Sequence, residues 1–320
     1  MKAFIVFFLV IFTDLSLQAE WSYDYQTQWP GICRAGLQQS PIDIMTRDAV
    51  VDRHQSHIRG PLAFRGYSNV KVEGVNNGHT LKFSGASNGG PAPLLSGGPL
   101  RGNYSFLQFH LHWLSEHAID GMKYPLEIHM VHVKTGLSVA EALERPDGLA
   151  VVGVFGVVHF GKEADRALSG VMPHVPYLFE QTNNRTEAYL DLSKMLSPDP
   201  QSYFTYHGSL TTPMCQEVVT WIVMDQPIHI TPEQYKAFGD VDVGGTHNYR
   251  NLQPTNRVVY RSISSCSSIL VPSLTGVILS LVHCLSDTLS SGVNKGICAL
   301  LNAKRKFFGG ANIKQCTKVL

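Results

Sequence analysis

Residues 104–113 read Tyr-Ser-Phe-Leu-Gln-Phe-His-Leu-His-Trp. The run is aromatic and roughly alternates between apolar and polar positions, a period of two that predicts a β-strand. Glu127–Val133 and Leu149–His159 are rich in β-branched residues and are read as strands because such side chains fit a pleated surface. Glu217–Met224 is nearly all apolar, which predicts a central strand buried on both faces. A Gly/Pro-rich loop over Gly85–Gly102 leads into the strand at Tyr104. Helices are predicted to be few and short. The clearest begins at Thr231: Thr231 suits the N-cap, Pro232 the first helical position, Gln234 completes a capping box and Gly239 suits the stop. A second candidate spans Lys162–Leu168. No internal repeat is visible. The pattern predicts a mainly β domain over residues 20–262, with short helices outside the sheet.

Composition narrows the class. The 320 residues carry a net charge of +1 and only 16% charged residues, against about 25% in ordinary domains. No basic stripe with interleaved aromatics is present, which argues against nucleic-acid binding. Lys2 followed by the apolar run Ala3–Phe12, with Ala19 as the small residue before a cleavage point, reads as a signal peptide over residues 1–19. The apolar run is too short to span a bilayer. The competing reading is a buried N-terminal strand, and Leu17 is not the ideal small residue two positions earlier. Asn103 and Asn184 begin Asn-x-Ser/Thr sequons, candidate glycan sites once the chain enters the secretory route. Of six cysteines only Cys33 and Cys215 lie in the first 262 residues, which makes them candidate partners. Cys266, Cys284, Cys298 and Cys316 crowd into the tail, and their pairing is open.

The candidate chemistry lies on two of the predicted strands. Successive strand side chains alternate faces, so Gln108, His110 and His112 project from one face, and Glu127, His129 and Val131 share a face of theirs. If the two strands are neighbours, three imidazoles converge and leave one tetrahedral position open. Three protein ligands plus water is the pattern of a catalytic zinc site, and histidine without cysteine suits zinc in hydrolysis or hydration. A single histidine on an apolar strand is ordinarily a satisfied core or surface residue, and spacing alone leaves both readings open. Gln108 and Glu127 favour the metal, because each suits an acceptor that fixes an imidazole. Other chemistries fit worse. Cys-x-x-Cys and His-Glu-x-x-His are absent. Gly156–Lys162 mimics a phosphate loop, but Glu163 stands where a Ser or Thr would meet magnesium.

Several ordered motifs resemble the α-carbonic anhydrase family. They are Gln108-Phe109-His110-Leu111-His112-Trp113, Ser115-Glu116-His117 and Glu127-Ile128-His129-Met130-Val131-His132. With them stand Gln39-Ser40-Pro41-Ile42-Asp43, Asn76-Asn77-Gly78-His79, Gly97-Gly98-Pro99-Leu100, Pro146-Asp147-Gly148-Leu149-Ala150-Val151 and Gly208-Ser209-Leu210-Thr211-Thr212-Pro213. The resemblance covers roughly Trp21–Ser262. It implies a single-domain fold on a large twisted, mostly antiparallel sheet with short peripheral helices. It implies an enzyme that reversibly hydrates carbon dioxide to bicarbonate and a proton by a zinc-bound hydroxide, with one zinc on His110, His112 and His129.

The same resemblance assigns roles. Thr211 accepts the hydroxide's hydrogen bond and donates its own to Glu116; Thr212 stands beside it. His79 is the proton shuttle, with Tyr23 and Asn77 along an ordered water chain. Val131, Val151, Leu210, Val219 and Trp221 form the apolar wall for carbon dioxide; unaided, each reads as ordinary core. Gln108 holds His110, Glu127 holds His129, and a backbone carbonyl near Asn256 holds His112. Cys33 and Cys215 resemble the disulfide of secreted members. Two departures stand out. Lys82 takes a cavity-side position usually Asn or Gln, and Met214 replaces the second proline of Thr-Thr-Pro-Pro, which leaves the cis bond there open. Ser40-Pro41 keeps its candidate cis bond.

Residues 263–320 match no pattern in the family. Leu274, Val277, Ile278, Leu281, Val282, Leu285 and Leu289 fall on one helical stripe. An amphipathic helix packing on a protein surface is the first reading. A membrane anchor followed by Lys304-Arg305-Lys306 is the second, with Pro272 and the serines against it. A glycolipid signal fits less well, because it should end the chain. Two other functions compete with the enzyme: a catalytically silent extracellular binding or matrix module, expected to lose a zinc ligand, and a zinc esterase with a wider pocket.

Overall fold

A computed structural model of the chain describes residues 21–86, 90–161, 166–180 and 184–262. The expected signal peptide, the tail with its predicted stripe and four cysteines, and most of the expected Lys162–Leu168 helix lie outside the described residues. Arg166–Leu168 form part of a turn.

The strands that position the site are β1 (Val70–Asn76), β2 (Leu81–Gly85), β3 (Tyr104–Trp113), β4 (Leu126–Lys134), β5 (Leu149–Val158), β6 (Arg185–Leu190), β7 (Tyr203–Gly208), β8 (Val219–Met224) and β9 (Tyr260–Ser262). They belong to one sheet of thirteen strands among the described residues, in the order β6-β1-β2-β3-β4-β5-β8-β7-β9. Most neighbours run antiparallel, whereas β5 and β8 are parallel. β3 and β5 sit where alternation and β-branching predict them. β8 starts two residues later than its apolar run, because Glu217 is occupied before the strand: its Oε1 accepts from the amide of Gln38 and the side chain of Gln39.

β4, β5 and β8 lie mid-sheet and are buried on both faces. One apolar cluster packs on one face around Phe83, Phe109, Ile128 and Val152. A second, around Val131, Val151, Trp221 and Phe204, packs on the other. Val131, Val151 and Trp221 are direct cross-strand partners, so the second cluster is continuous across β4, β5 and β8.

Helices are short. The longest of the described α-helices, α1 (Pro232–Gly239), starts at Thr231 with the full capping box. Each box bond satisfies an amide that the first turn leaves without a partner. Cys33 and Cys215 are disulfide-bonded. The Ser40–Pro41 and Pro213–Met214 peptide bonds are both cis, which answers the question Met214 left open. Asn103 and Asn184 are exposed. Among the described residues no helix is long and apolar enough to cross a membrane.

Candidate metal centre

β3 and β4 are antiparallel neighbours, with His110 opposite His129 and His112 opposite Glu127. Directly opposed residues share a face, so the three histidines meet. Their ring centroids lie 5.0 Å (His110–His112), 5.2 Å (His110–His129) and 4.6 Å (His112–His129) apart. One nitrogen of each ring is within 4.8 Å of the others'.

The remaining nitrogens are tied to fixed acceptors. His110 Nδ1 donates to Gln108 Oε1 at 2.9 Å. His129 Nε2 donates to Glu127 Oε1 at 2.8 Å. His112 Nδ1 donates to the carbonyl of Asn248 at 2.5 Å. That carbonyl was expected near Asn256. It comes eight positions earlier because Asn248 is stitched to β3: its side chain donates to the Leu111 carbonyl at 2.9 Å and accepts from the Trp113 amide at 3.1 Å. The three acceptors leave His110 Nε2, His112 Nε2 and His129 Nδ1 facing one another.

These residues fit a zinc ion. His112 Nε2 is buried without any hydrogen-bond partner, and an orphaned buried nitrogen is expensive unless something ligates it. Burial, then the neighbouring His112 and His129 rings and Lys82, push His110 well below the ordinary imidazole range. Burial lowers His112 as well, only partly offset by Glu116. Neutral imidazoles offer the lone pair a metal needs. Burial opposes the charge of Glu127, but His117 and His129 outweigh it and hold its carboxyl well below its ordinary value.

A second cluster, His117, Glu127 and His129, also gathers donor atoms, but its nitrogens are engaged. His117 Nδ1 donates to Glu127 Oε1 at 2.8 Å, and Nε2 meets the Tyr206 hydroxyl at 2.6 Å. This chain steadies the carboxylate that holds His129. Gly153, opposite His129 on β5, makes room for it: a Cβ there would stand 3.0 Å from Glu127 Oε1.

Thr211 is buried on a turn held from several sides. The Trp221 indole donates to the Ser209 carbonyl at 3.0 Å, the Cys215 amide donates to the Thr212 carbonyl at 2.8 Å, and the disulfide anchors Cys215. The expected hydrogen bond from Thr211 to Glu116 is not made. Glu116 Oε1 accepts from the Arg250 amide at 2.7 Å. Its Oε2 has no hydrogen-bond partner and instead stands 3.6 Å from His112 Nε2 and 3.8 Å from His129 Nδ1. The carboxylate is thus drawn toward the imidazoles rather than toward the hydroxyl.

His79 is half-buried and stacks on Trp21, centroids 3.7 Å apart. Tyr23 is buried, edge-on to both His79 and His112. Asn77 is exposed, and its Oδ1 accepts from the amides of His79 and Thr80. Its side chain therefore builds the turn that presents His79, a use its expected place on a water chain did not include. Val131, Val151, Val219 and Trp221 are buried together, with Leu210 packed against them, and Thr212 is half-buried. The Trp221 and His129 ring centroids are 4.8 Å apart. Lys82 lies opposite His110 on β2 and makes no ion pair or hydrogen bond among the described residues. The sequence reading missed Asn248 and Arg250. Arg250 is buried and its guanidinium donates to Gln39 Oε1 and to the carbonyls of Ser40 and Cys33. Both lie in irregular backbone, where no periodicity singles out a residue.

The family model for eukaryotic-type carbonic anhydrases matches residues 18–263. A putative carbonic anhydrase 5 of Caenorhabditis elegans is 37% identical, over 84% of this chain and 91% of the relative. Human carbonic anhydrase 5A, mitochondrial, is 34% identical over 72% of this chain and 78% of its own length. Rat carbonic anhydrase 4 is 32% identical over 83% and 94%. A match over most of the chain, together with relatives aligned over most of their lengths, assigns it: the chain is an enzyme of the eukaryotic-type carbonic anhydrase family, which is in general zinc-dependent.

Proposed function

We propose that this chain hydrates carbon dioxide reversibly to bicarbonate and a proton, with one zinc on His110, His112 and His129. The observation that carries the reading is the trio of imidazoles, each fixed through one nitrogen and converging through the other. When bound, zinc supplies Lewis acidity that lowers the pKa of water to about 7, so a nucleophile is available at neutral pH. The chain's own residues do the rest. Val131, Val151, Leu210, Val219 and Trp221 offer carbon dioxide a dry, apolar surface beside His129. Excluding water there strengthens electrostatic interactions in the site.

Thr211 accepts a hydrogen bond from the attacking group and so orients its lone pair. Thr211 must then send its own proton elsewhere, and Glu116 is the buried acceptor available. Glu116 Oε2, buried with no hydrogen-bond partner, is the oxygen that would accept that proton's hydrogen bond. His79 takes the excess proton and hands it to buffer, a task imidazole side chains commonly perform. Its stacking on Trp21 at the edge of the site supports the role. Signal-directed secretion with glycans on Asn103 and Asn184 belongs to the same reading, supported by the disulfide and by the exposure of both asparagines.

The test is direct. Purified protein is assayed for zinc by elemental analysis and for carbon dioxide hydration by stopped flow. One zinc per chain with hydration above the buffer rate is expected, and His129→Ala loses both. Full zinc occupancy in that variant overturns the ligand assignment, and wild-type protein without hydration above the buffer rate overturns the activity.

A further inference from the structure

On the face of the sheet opposite the histidines, β7, β8 and β9 carry a second polar site. His207 pairs with Thr220, and Thr205 with Tyr260. By strand alternation these four point away from the face that carries Tyr206, Trp221 and His129. Above them lies a cavity of about 80 Å³, walled by the loop segments bearing His57, Arg59, Pro99 and Arg101. A water needs only about 10–15 Å³ in the same measure, so the space takes a small polyatomic ion.

The charge of the lining is one-sided. Arg59 and Arg101 are exposed at the rim and no carboxylate lines the cavity. Arg101 makes no hydrogen bond or ion pair among the described residues. Arg59 donates through one Nη to the Ser56 carbonyl at 2.9 Å, which leaves most of its five N–H groups available. The nearest acids are committed elsewhere. Asp52 accepts the amides of Ser56, His57 and Ile58, and Asp147 is paired with Lys134. His57 is held in place by stacking on Tyr260, centroids 3.9 Å apart. The floor is buried Thr205 and Thr220, whose hydroxyls add neutral hydrogen-bonding capacity. Two guanidinium forks over a polar floor match the oxygens of a tetrahedral anion, because the planar fork binds such groups bidentately.

The geometry points to a second, non-catalytic site for a phosphate-type oxyanion, held by Arg59 and Arg101 and lying behind the catalytic face. The shared chemistry is the phosphate group, free or as a lipid headgroup.

Two arms test it on the zinc-loaded protein, with saturating thiocyanate occupying the metal so that anion binding there does not contribute. In the first, inorganic phosphate is titrated calorimetrically at low salt into wild type and into the Arg59→Gln/Arg101→Gln double variant. One saturable site is expected, weakened at least tenfold in the double variant. Binding should also fall as salt rises, since exposed charges are screened. In the second, phosphatidylcholine vesicles with and without phosphatidic acid are pelleted with each protein. Retention that needs phosphatidic acid and is lost in the double variant assigns the same pocket to a headgroup. Zinc content and melting temperature, unchanged in the variant, establish that it is folded. Absence of binding in both arms, or binding equal in wild type and double variant, overturns the site.

Discussion

Glu127 ties one member of the candidate metal centre, His129, to the segment that follows β3. One oxygen receives His129 and His117, and the other caps the amides of Glu116 and His117. Glu127→Gln keeps the shape and removes the charge that orients His129. Zinc affinity is expected to fall about 10–100-fold, read by competition with a chromophoric chelator. Lys82, a cation beside His110 with no ion pair among the described residues, should draw anions toward the metal. Lys82→Gln is expected to raise the inhibition constant for thiocyanate several-fold, with the difference shrinking at high salt; an unchanged constant at low salt removes Lys82 from anion selection. His79→Ala should slow turnover in weak buffer, leave zinc in place and recover in imidazole buffer, which carries the proton instead. Equal turnover in weak buffer assigns the shuttle elsewhere.

At the scale of elements, β4 separates two environments. His129 faces the site, whereas His132 faces the other side, where its Nε2 meets the Tyr67 hydroxyl at 2.7 Å. Burial pushes His132 down from 6.5 to about 4. The unfolded chain therefore binds a proton that the folded one refuses. The stability this gives is complete above the unfolded value of 6.5 and is lost as pH falls toward and through about 4. The urea midpoint is expected to drop across that window, and His132→Gln to flatten the drop. The turn bearing Thr211 depends on a different link, the Cys33–Cys215 bond. Replacing both cysteines by serine should cost about 2–5 kcal/mol in urea unfolding and lower turnover through Thr211, with zinc content retained because no ligand lies on that turn.

Across the whole molecule, every residue assigned to the metal centre and its apolar wall lies in the described part of the chain, which falls within a compact unit ending at Ser262. The last strand, β9, pairs with β7 on one side and with Val50–Val51 on the other, so it lies inside the sheet. A chain ending at Ser262 is therefore expected to fold, bind zinc and hydrate carbon dioxide at near the full-length rate. Activity and zinc content of the two forms check this, and loss of zinc on truncation moves the domain boundary into the tail. Membrane fractionation of the same pair reports what residues 263–320 do.

The local pattern determined which segments become strands and which residues share a face: His110 with His112, Glu127 with His129. That information is legible because alternation is a property of consecutive residues, and the same holds for the capping box at Thr231. The tertiary structure decided the rest. Only the pairing of β3 with β4 makes His129 the third member of the trio, and only chain return from far downstream brings the Asn248 carbonyl to His112 and the Arg250 amide to Glu116. The contacts between Asn248 and His112 and between Arg250 and Glu116 join positions more than a hundred residues apart through backbone atoms of irregular segments. A backbone carbonyl or amide carries no side-chain signature, so no residue pattern announces them. The basic cavity behind the sheet is of the same kind, since Arg59, Arg101 and His207 become neighbours only once three distant segments are folded together.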